Sequence, residues 1–186
     1  MTEIFQEDKI IVGLQNRDPD SFALLYDLYA PKVYRFLFFR TMNEAVAQDI
    51  TSIVFLKTWE YILNKNNRPI QNPKAFIYTT ARNALVNFYR ERAKKEVEIN
   101  IDTIVLEQLA LITSDPAETY DKTNLNIQVY LRQLKDEYRE IIILRYVEEM
   151  SIAEIAHILN KSRISVRVTL HRAINSLRKI IHSNGQ

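Results

Sequence analysis

Glycine occurs only at Gly13 and Gly185 in the 186 residues, and this scarcity constrains the fold more than any other feature. Tight β-hairpins need residues that tolerate a positive φ, and no Asn-Gly or Asp-Gly pair separates two apolar segments here. Phosphate loops of the nucleotide-binding kinds need several glycines close together. The sequence therefore predicts an all-α fold and excludes most nucleotide-binding enzymes.

Several other classes of protein are disfavoured by what the sequence lacks. There is no cysteine, and the first residues are polar rather than a basic segment followed by an apolar one, so we expect a cytoplasmic protein without disulfides. The longest apolar runs, such as residues 141–144, are far shorter than the roughly 20 residues that span a bilayer, so no membrane insertion is expected.

No arrangement of side chains suggests catalysis or cofactor binding. The three histidines have no metal-ligand spacing with Asp or Glu, so we expect no metal and no cofactor. Glu148 and Glu149 stand beside a predicted turn, and we expect both at the solvated surface. The sequence therefore predicts a protein that is not an enzyme.

The formal net charge is only +2, but the charges are unevenly distributed. Residues 96–121 contain acids and no Lys or Arg, whereas residues 161–186 contain Lys and Arg and no acid. A one-signed acidic segment with weak helix caps is typical of a flexible linker. We therefore predict two small helical domains, residues 1–95 and 122–186, joined by an acidic flexible linker over 96–121.

The first half of the chain has the apolar spacing of consecutive helices. Asp18 and Pro19 mark a helix start, and Pro31 is expected to divide the helical run after them into two helices. Residues 44–62 are apolar around so much of the helix that we expect them to lie between neighbours or to dock on a partner. Asn72, followed by proline, predicts the start of a further long helix.

A helix-turn-helix is predicted near the end of the chain. Ala156 is a small residue where two helices would cross, and Asn160 tolerates the left-handed backbone of the turn. Ser151 and Ser162 are expected N-caps. The second helix supplies the candidate contacts to duplex DNA: Ser162, Arg163, Ser165, Arg167, Thr169, His171 and Arg172.

Two interpretations of this segment that involve no DNA contact also remain open. A helical hairpin with a solvated basic face has the same pattern, and Arg167 can equally pair with Glu154 on the preceding helix. For His171, a surface histidine without a binding role and a contact to phosphate are equally good explanations.

The helix after Asn72 combines aromatic, amide and cationic side chains, a mixture that suits single-stranded nucleic acid. Its members are Tyr78, Arg82, Asn83, Tyr89, Arg90, Arg92, Lys94 and Lys95. Tyr78 and Tyr89 are also explained as half-buried core residues. This helix alone therefore does not predict a nucleic-acid partner.

Three stretches taken in order resemble the extracytoplasmic-function group of sigma factors. They are Gln-Asp-Ile-Thr-Ser-Ile-Val-Phe-Leu-Lys-Thr-Trp at 48–59, Asn-Pro-Lys-Ala-Phe-Ile-Tyr-Thr-Thr-Ala-Arg-Asn at 72–83, and residues 138–173. The resemblance implies a first domain, region two, that binds the β′ clamp of core RNA polymerase and the melted minus-ten element. It implies a second domain, region four, that binds the minus-thirty-five element and the β flap, and it implies an anti-sigma factor as a further partner.

The resemblance also implies roles for individual residues of the first domain. The positions that match the clamp contact are Asp49, Ser52, Ile53 and Leu56. The positions that match the minus-ten contact are Asn66, Asn67, Arg68, Lys74, Tyr78, Arg82, Asn83 and Arg90. The family usually has Gln-Glu where this chain has Ser52-Ile53, so the polar part of the clamp contact differs.

Some of these positions have structural alternatives. Residues 63–74 match the part of the family that captures an unpaired base. Arg82 and Asn83 match an Ala-Arg-Asn signature of the family. For these two residues, a structural role that caps or stabilises the domain and a contact to DNA are equally well supported. Phe55 and Trp59 are expected in the core.

Two other functions compete with the sigma-factor interpretation. A stand-alone helix-turn-helix regulator would bind duplex operator DNA, but it has no need for a first domain of this kind or for a charge-reversed linker. A helical enzyme such as a hydrolase is the third alternative, and no catalytic constellation favours it.

Overall fold

The computed structural model describes the backbone of residues 2–98 and 122–183 and the side chains of residues 9–94 and 127–183. All regular structure in these ranges is helical, which confirms the all-α prediction. The predicted linker lies outside the described residues apart from the end of the helix that precedes it. Within the described part of the chain, no helix is both long and apolar enough to cross a membrane.

The helices form two bundles. The first bundle contains α1 (Thr2–Gln15), α2 (Pro19–Thr41), α3 (Glu44–Leu63) and α4 (Pro73–Glu98). The second contains α5 (Lys122–Arg132), α6 (Asp136–Ile142), α7 (Ile152–Leu159) and α8 (Arg163–Ser183). Their buried apolar residues form one cluster that runs through both bundles. It includes Leu25, Val33, Ile50, Val54 and Leu85 of the first bundle and Leu131, Ile143, Ile155, Val166 and Leu170 of the second.

Pro31 lies inside α2 rather than between two helices, so the predicted break was wrong. Proline removes one backbone donor, which leaves the carbonyl of Asp27 without its helical partner. Asp27 and Pro31 are both exposed, so water can bond that carbonyl. The opposite side of the helix, with Leu25 and Val33, is fully buried and keeps the helix continuous.

Side-chain caps start the helices where the sequence predicts them. The Asp18 carboxylate accepts hydrogen bonds from the Ser21 backbone N–H (3.0 Å) and hydroxyl (2.6 Å), and these bonds lower the Asp18 pKa. Asn72 Oδ1 accepts from the Ala75 N–H at 2.8 Å. Both contacts satisfy donors that the first helical turn leaves without a partner.

The helix-turn-helix prediction is confirmed in its local details. Ser151 and Glu154 form a reciprocal capping box. The Glu154 N–H donates to Ser151 Oγ at 3.2 Å, and the Ser151 N–H donates to Glu154 Oε2 at 2.8 Å. Asn160 has φ 50°, the left-handed conformation expected at the turn. Ser162 Oγ accepts from the Ser165 N–H at 3.1 Å at the start of α8.

An unpredicted wide turn connects α6 to the helix-turn-helix. The chain forms one π-helical turn over Ile143–Val147, and the Glu148 N–H donates to the Ile143 carbonyl at 3.0 Å. Glu149 then has φ 53°, a left-handed backbone conformation. This turn places Glu148 against the first bundle.

Gly13 allows close packing between the end of α1 and the start of α2. A Cβ on Gly13 would lie 1.8 Å from Ser21 Oγ and 2.4 Å from Ser21 Cβ. We expect Gly13→Ala to destabilise the protein by about 1–3 kcal/mol in urea unfolding, although alanine favours helices, because the two helices must move apart. Adding Ser21→Gly should recover most of the loss, and a Gly13→Ala protein as stable as the wild type would contradict this packing.

Candidate nucleic-acid and polymerase interfaces

Helix α8 presents its cations to solvent, together with Ile164 and Val168, and buries only part of its apolar residues. Arg163, Arg167 and Arg172 are exposed, whereas Val166 and Leu170 are buried against the second bundle. None of these three arginines has an ion-pair partner among the described residues. The surface of α8 therefore carries uncompensated positive charge, as an element that binds the major groove does.

The other predicted contacts of α8 lie around these cations. Ser162 and His171 are exposed, and Ser165 and Thr169 are half-buried. His171 Nε2 lies 3.0 Å from the amide nitrogen of Asn175. The alternative pairing of Arg167 with Glu154 does not occur, because Glu154 pairs with Lys74 of the first bundle.

The residues assigned to the clamp lie together on one exposed face of α3. Asp49, Ser52, Ile53 and Leu56 follow the spacing of neighbouring turns, and all four are exposed. Ile53 is 40% exposed and Leu56 is 59% exposed. This face, which we call the α3 patch, is an apolar surface beside one carboxylate.

Phe55 and Trp59 are not part of the α3 patch. Phe55 is buried and contacts the ring of Tyr26, and Trp59 packs against Phe22 with 4.7 Å between ring centroids. Their expected place in the core is confirmed.

The loop between α3 and α4 is held by hydrogen bonds to its own backbone. Asn67 Nδ2 donates to the Tyr61 carbonyl at 3.0 Å, and the Tyr61 hydroxyl donates to the Arg68 carbonyl at 3.1 Å. Asn66 and Arg68 have exposed side chains. The loop therefore presents polar groups from an ordered backbone.

Three residues predicted to contact the minus-ten element bond to glutamates of the second bundle. Lys74 Nζ lies 2.7 Å from Glu154 Oε1, and Arg82 Nε lies 3.2 Å from Glu140 Oε1. The Tyr78 hydroxyl donates to a glutamate of the second bundle as well. In contrast, Asn83 and Arg90 on the same helix are exposed.

Glu148 is the acceptor for Tyr78, and it is the most buried charge of this contact. Its side chain is 1% exposed, so the expectation of a solvated Glu148 was wrong, while Glu149 is exposed as expected. The Tyr78 hydroxyl donates to Oε2 at 2.6 Å. Arg35 donates from Nε to Oε1 at 2.9 Å and from Nη2 to Oε2 at 3.1 Å. Sequence periodicity cannot reveal this burial, because every partner comes from the other bundle.

The pKa values around Glu148 reflect its surroundings. Burial, with the nearby Glu148 carboxylate, raises the pKa of Tyr78, so this phenol remains a hydrogen-bond donor. The hydrogen bond to Glu148 raises the pKa of Arg35. Partial burial alone would raise the pKa of Glu154, but the hydrogen bonds from Lys74 and Ser151 together outweigh it and lower the value to about 2.

A second buried carboxylate, Glu140, lies between two arginines. Arg40 Nη1 is 3.3 Å from Glu140 Oε1, and Arg82 approaches the same oxygen from α4. The Arg40 and Glu140 side chains are 5% and 7% exposed. Arg40 Nη2 also pairs with Asp136 Oδ2 at 2.8 Å, and Arg40 Nε has no hydrogen-bond partner among the described residues. We refer to Glu140, Glu148 and Glu154 as the acidic triplet.

The contact between the two bundles leaves a cavity. A cavity of about 230 Å³ remains between them, lined by Lys32, Arg35, Lys74, Tyr78 and residues 147–149. Its lining is mainly polar and charged, so water can enter it. The bundles are therefore joined in part through polar groups, alongside buried apolar residues that form one cluster across both bundles.

Both bundles match models of known protein families. Residues 25–95 match sigma-70 region 2, and residues 124–177 match sigma-70 region 4. The ECF RNA polymerase sigma factor SigM of Bacillus subtilis (strain 168) is 31% identical over 162 residues, covering 87% of this chain and 94% of the relative. SigW of the same organism is 27% identical over 181 residues, covering 92% of this chain and 94% of the relative.

Solved structures with the same fold include two complexes. In the structure of CnrH in complex with the cytosolic domain of CnrY, the matched chain has a TM-score of 0.70 and 16% identity and covers 96% of this chain and 98% of its own length. The sigma factor RpoE in complex with the anti-sigma factor NepR from Bartonella quintana has a TM-score of 0.64 and 19% identity. It covers 84% of this chain and 94% of its own length. At these identities the likeness concerns the fold alone.

We expect Glu148→Gln to lower the free energy of unfolding of the full chain by about 1–2 kcal/mol, because the substitution removes the charge that strengthens the bonds from Arg35 and Tyr78. Glu149→Gln is the matched control and should leave stability unchanged, since Glu149 is exposed. Urea unfolding of both variants provides the comparison. Equal stability of the two variants would show that Glu148 contributes nothing to the contact between the bundles.

Proposed function

The chain belongs to the extracytoplasmic-function group of sigma factors within the sigma-70 family, and from this membership we propose that it directs core RNA polymerase to promoters as an alternative sigma factor. Its work is binding and strand capture without covalent chemistry. Since RNA polymerase is its partner, the chain would act in the cytoplasm. The proposed domains are those predicted from the sequence, with α4 continuing to Glu98.

One observation carries this proposal. Matches to region 2 and region 4 occur in order on a single chain, and each match falls on one of the two helical bundles. A regulator that binds only an operator needs the second bundle alone. The presence of both bundles therefore favours a protein that contacts a promoter at two places.

We assign the minus-thirty-five element to the exposed face of α8. The N-terminal part of such a helix normally meets base edges in the major groove. Arg163 and Arg167 lie there, and Arg172 lies further along, where the helix leaves the groove floor. The lack of acidic partners for these arginines supports the assignment.

We assign the minus-ten element to the loop between α3 and α4 and to α4 itself. Asn66 and Arg68 are accessible, but Lys74, Tyr78 and Arg82 are occupied by the acidic triplet. Carboxylates in these positions compete with DNA phosphates for the same cations. The bundles must therefore separate before α4 can contact DNA along its length.

We assign the α3 patch to the polymerase clamp. Its exposed Ile53 and Leu56 are the kind of apolar surface that a partner covers. An anti-sigma factor is the second proposed protein partner, since a structure of the same fold is a complex with an anti-sigma factor. A partner that holds the bundles together would keep the acidic triplet on α4 and prevent promoter binding.

Run-off transcription with core RNA polymerase tests the function directly. Genomic DNA fragments of the source organism serve as templates, and core polymerase without the chain is the control. We expect new starts at defined positions when the chain is added. If the chain binds DNA fragments but never alters initiation, it is an operator-binding regulator instead.

We expect Asp49→Arg to weaken assembly with core polymerase, because it reverses the charge in the α3 patch. Assembly is measured by co-elution in gel filtration, and circular dichroism checks the helical content. Glu91→Arg on α4 is the control, since it makes the same charge change on an exposed acid outside the patch. Undiminished assembly of Asp49→Arg would remove Asp49 from the clamp contact.

We expect Arg167 to contact a base and Arg172 to contact phosphate. Arg167→Ala should weaken the free energy of DNA binding by about 1–3 kcal/mol and relax the preference at one base position. Arg172→Ala should weaken binding to all sequences. It should also reduce the slope of the logarithm of the binding constant against the logarithm of salt concentration by roughly one. Binding to a panel of promoter fragments across salt concentrations separates the two effects, and Arg178→Ala at the far end of α8 is the control. An Arg167→Ala protein with unchanged affinity and base preference would exclude Arg167 from the site.

A further inference from the structure

Two exposed apolar side chains lie side by side near the start of α8. Ile164 is 71% exposed, the largest exposed fraction of any large apolar side chain in the described part of the chain, and Val168 is 44% exposed. They are four residues apart, so they are neighbours on one face of the helix. That face points away from the core, because Val166 and Leu170 lie on the opposite side and are buried. Ile164 and Val168 therefore form a small apolar surface, which we call the α8 patch.

The α8 patch does not serve the packing of the protein. Neither of its residues belongs to the apolar cluster that the described residues form. Branching at Cβ makes isoleucine and valine poorer helix formers than alanine, so the helix does not need them either. The same branching restricts χ1 and holds the methyl groups in fixed positions. A partner would therefore meet an apolar surface that is already ordered.

The charges around the α8 patch indicate what covers it. With about 3.6 residues per turn, Arg167 and Arg172 lie on opposite sides of the line through Ile164 and Val168, and both arginines are exposed. Residues 161–186 contain no acid. A patch with cations on both sides complements a polyanion that has apolar groups between two charged edges. The major groove of duplex DNA has this arrangement, with phosphates along both edges and thymine methyl groups on its floor.

We propose that Ile164 and Val168 are specificity-determining residues that contact the C5-methyl groups of thymines in the minus-thirty-five element. This inference rests on the proposed function, and it adds apolar readout to the arginines assigned to the same face of α8. Among the four bases of DNA, only thymine presents a methyl group in the major groove, and apolar side chains are suited to contact it. The preferred duplex therefore contains thymine as well as the bases that arginine contacts.

The two residues contact different base pairs. Four residues of helix rise about 6 Å, and neighbouring base pairs are about 3.4 Å apart along a duplex. The two thymines are therefore within about two base pairs of each other. Burial of one methyl group changes a binding constant by about fourfold, which is the size of effect that each contact contributes.

The test compares thymine with deoxyuridine, which lacks only the C5-methyl group, and uses the full chain in complex with core polymerase. A DNA library with a randomised duplex upstream of a premelted, randomised bubble first gives the sequence that the wild-type complex prefers. Each thymine of the upstream duplex is then replaced singly by deoxyuridine, and binding is measured by competition. We expect the wild-type complex to lose about fourfold in affinity at two positions.

Single variants assign these positions to residues. Ile164→Ala should bind thymine and deoxyuridine equally at one of the two positions, and Val168→Ala should do so at the other. Ile181→Ala is the matched control, because it truncates an exposed apolar residue at the far end of α8 and should respond to deoxyuridine as the wild type does.

The possible outcomes separate the inference from the function on which it rests. If the wild-type complex enriches no sequence beyond core polymerase alone, the proposed function itself fails. If it enriches sequences without thymine upstream, or binds deoxyuridine as well as thymine, the methyl contact is wrong although the sigma-factor assignment stands. A variant that keeps the wild-type response to deoxyuridine excludes its residue from the contact. If Ile164→Ala or Val168→Ala instead loses assembly with polymerase, the α8 patch binds protein and the proposal is wrong.

Discussion

The buried carboxylate of Glu148 is the interaction on which the arrangement of the two bundles depends. It comes from the π-helical turn of the second bundle and accepts hydrogen bonds from Arg35 and Tyr78 of the first. A carboxylate removed from water is costly unless it is fully paired, so Glu148 can be buried only while the first bundle is in contact. The position of α4 relative to the helix-turn-helix depends on that requirement.

The same contacts link the closed arrangement to function. The acidic triplet pairs with Lys74, Tyr78 and Arg82, the residues of α4 that we propose for the minus-ten contact. Buried ion pairs contribute little net stability, because their attraction is offset by the loss of hydration. The polar part of this contact, which borders a cavity that water can enter, can be exchanged for contacts to DNA phosphates, whereas its apolar part would become exposed if the bundles separate. The α3 patch and the cations of α8 are already exposed while the bundles are in contact.

Local features could be predicted from the sequence, and contacts between the bundles could not. The caps at Asp18, Asn72 and Ser151 and the left-handed Asn160 depend on neighbouring residues, so their patterns were sufficient. The burial of Glu148 depends on Tyr78 and Arg35, which lie 70 and 113 positions earlier in the chain. Pro31 was misjudged for a similar reason, since packing on the buried side of α2 outweighs one lost hydrogen bond. The individual DNA and polymerase contacts remain predictions, because their partners are other molecules.

The distance between the bundles is the most direct test of whether the acidic triplet must leave α4 before the chain can function. Because the chain has no cysteine, Asp27→Cys and Lys179→Cys together introduce two unique labelling sites, one on each bundle and both at exposed positions. Pulsed electron spin resonance then measures the separation in the free chain and in the complex with core polymerase and promoter DNA. We predict a short distance in the free chain and a clearly longer one in a transcribing complex. The same short distance in a complex that initiates transcription would contradict the separation of the bundles.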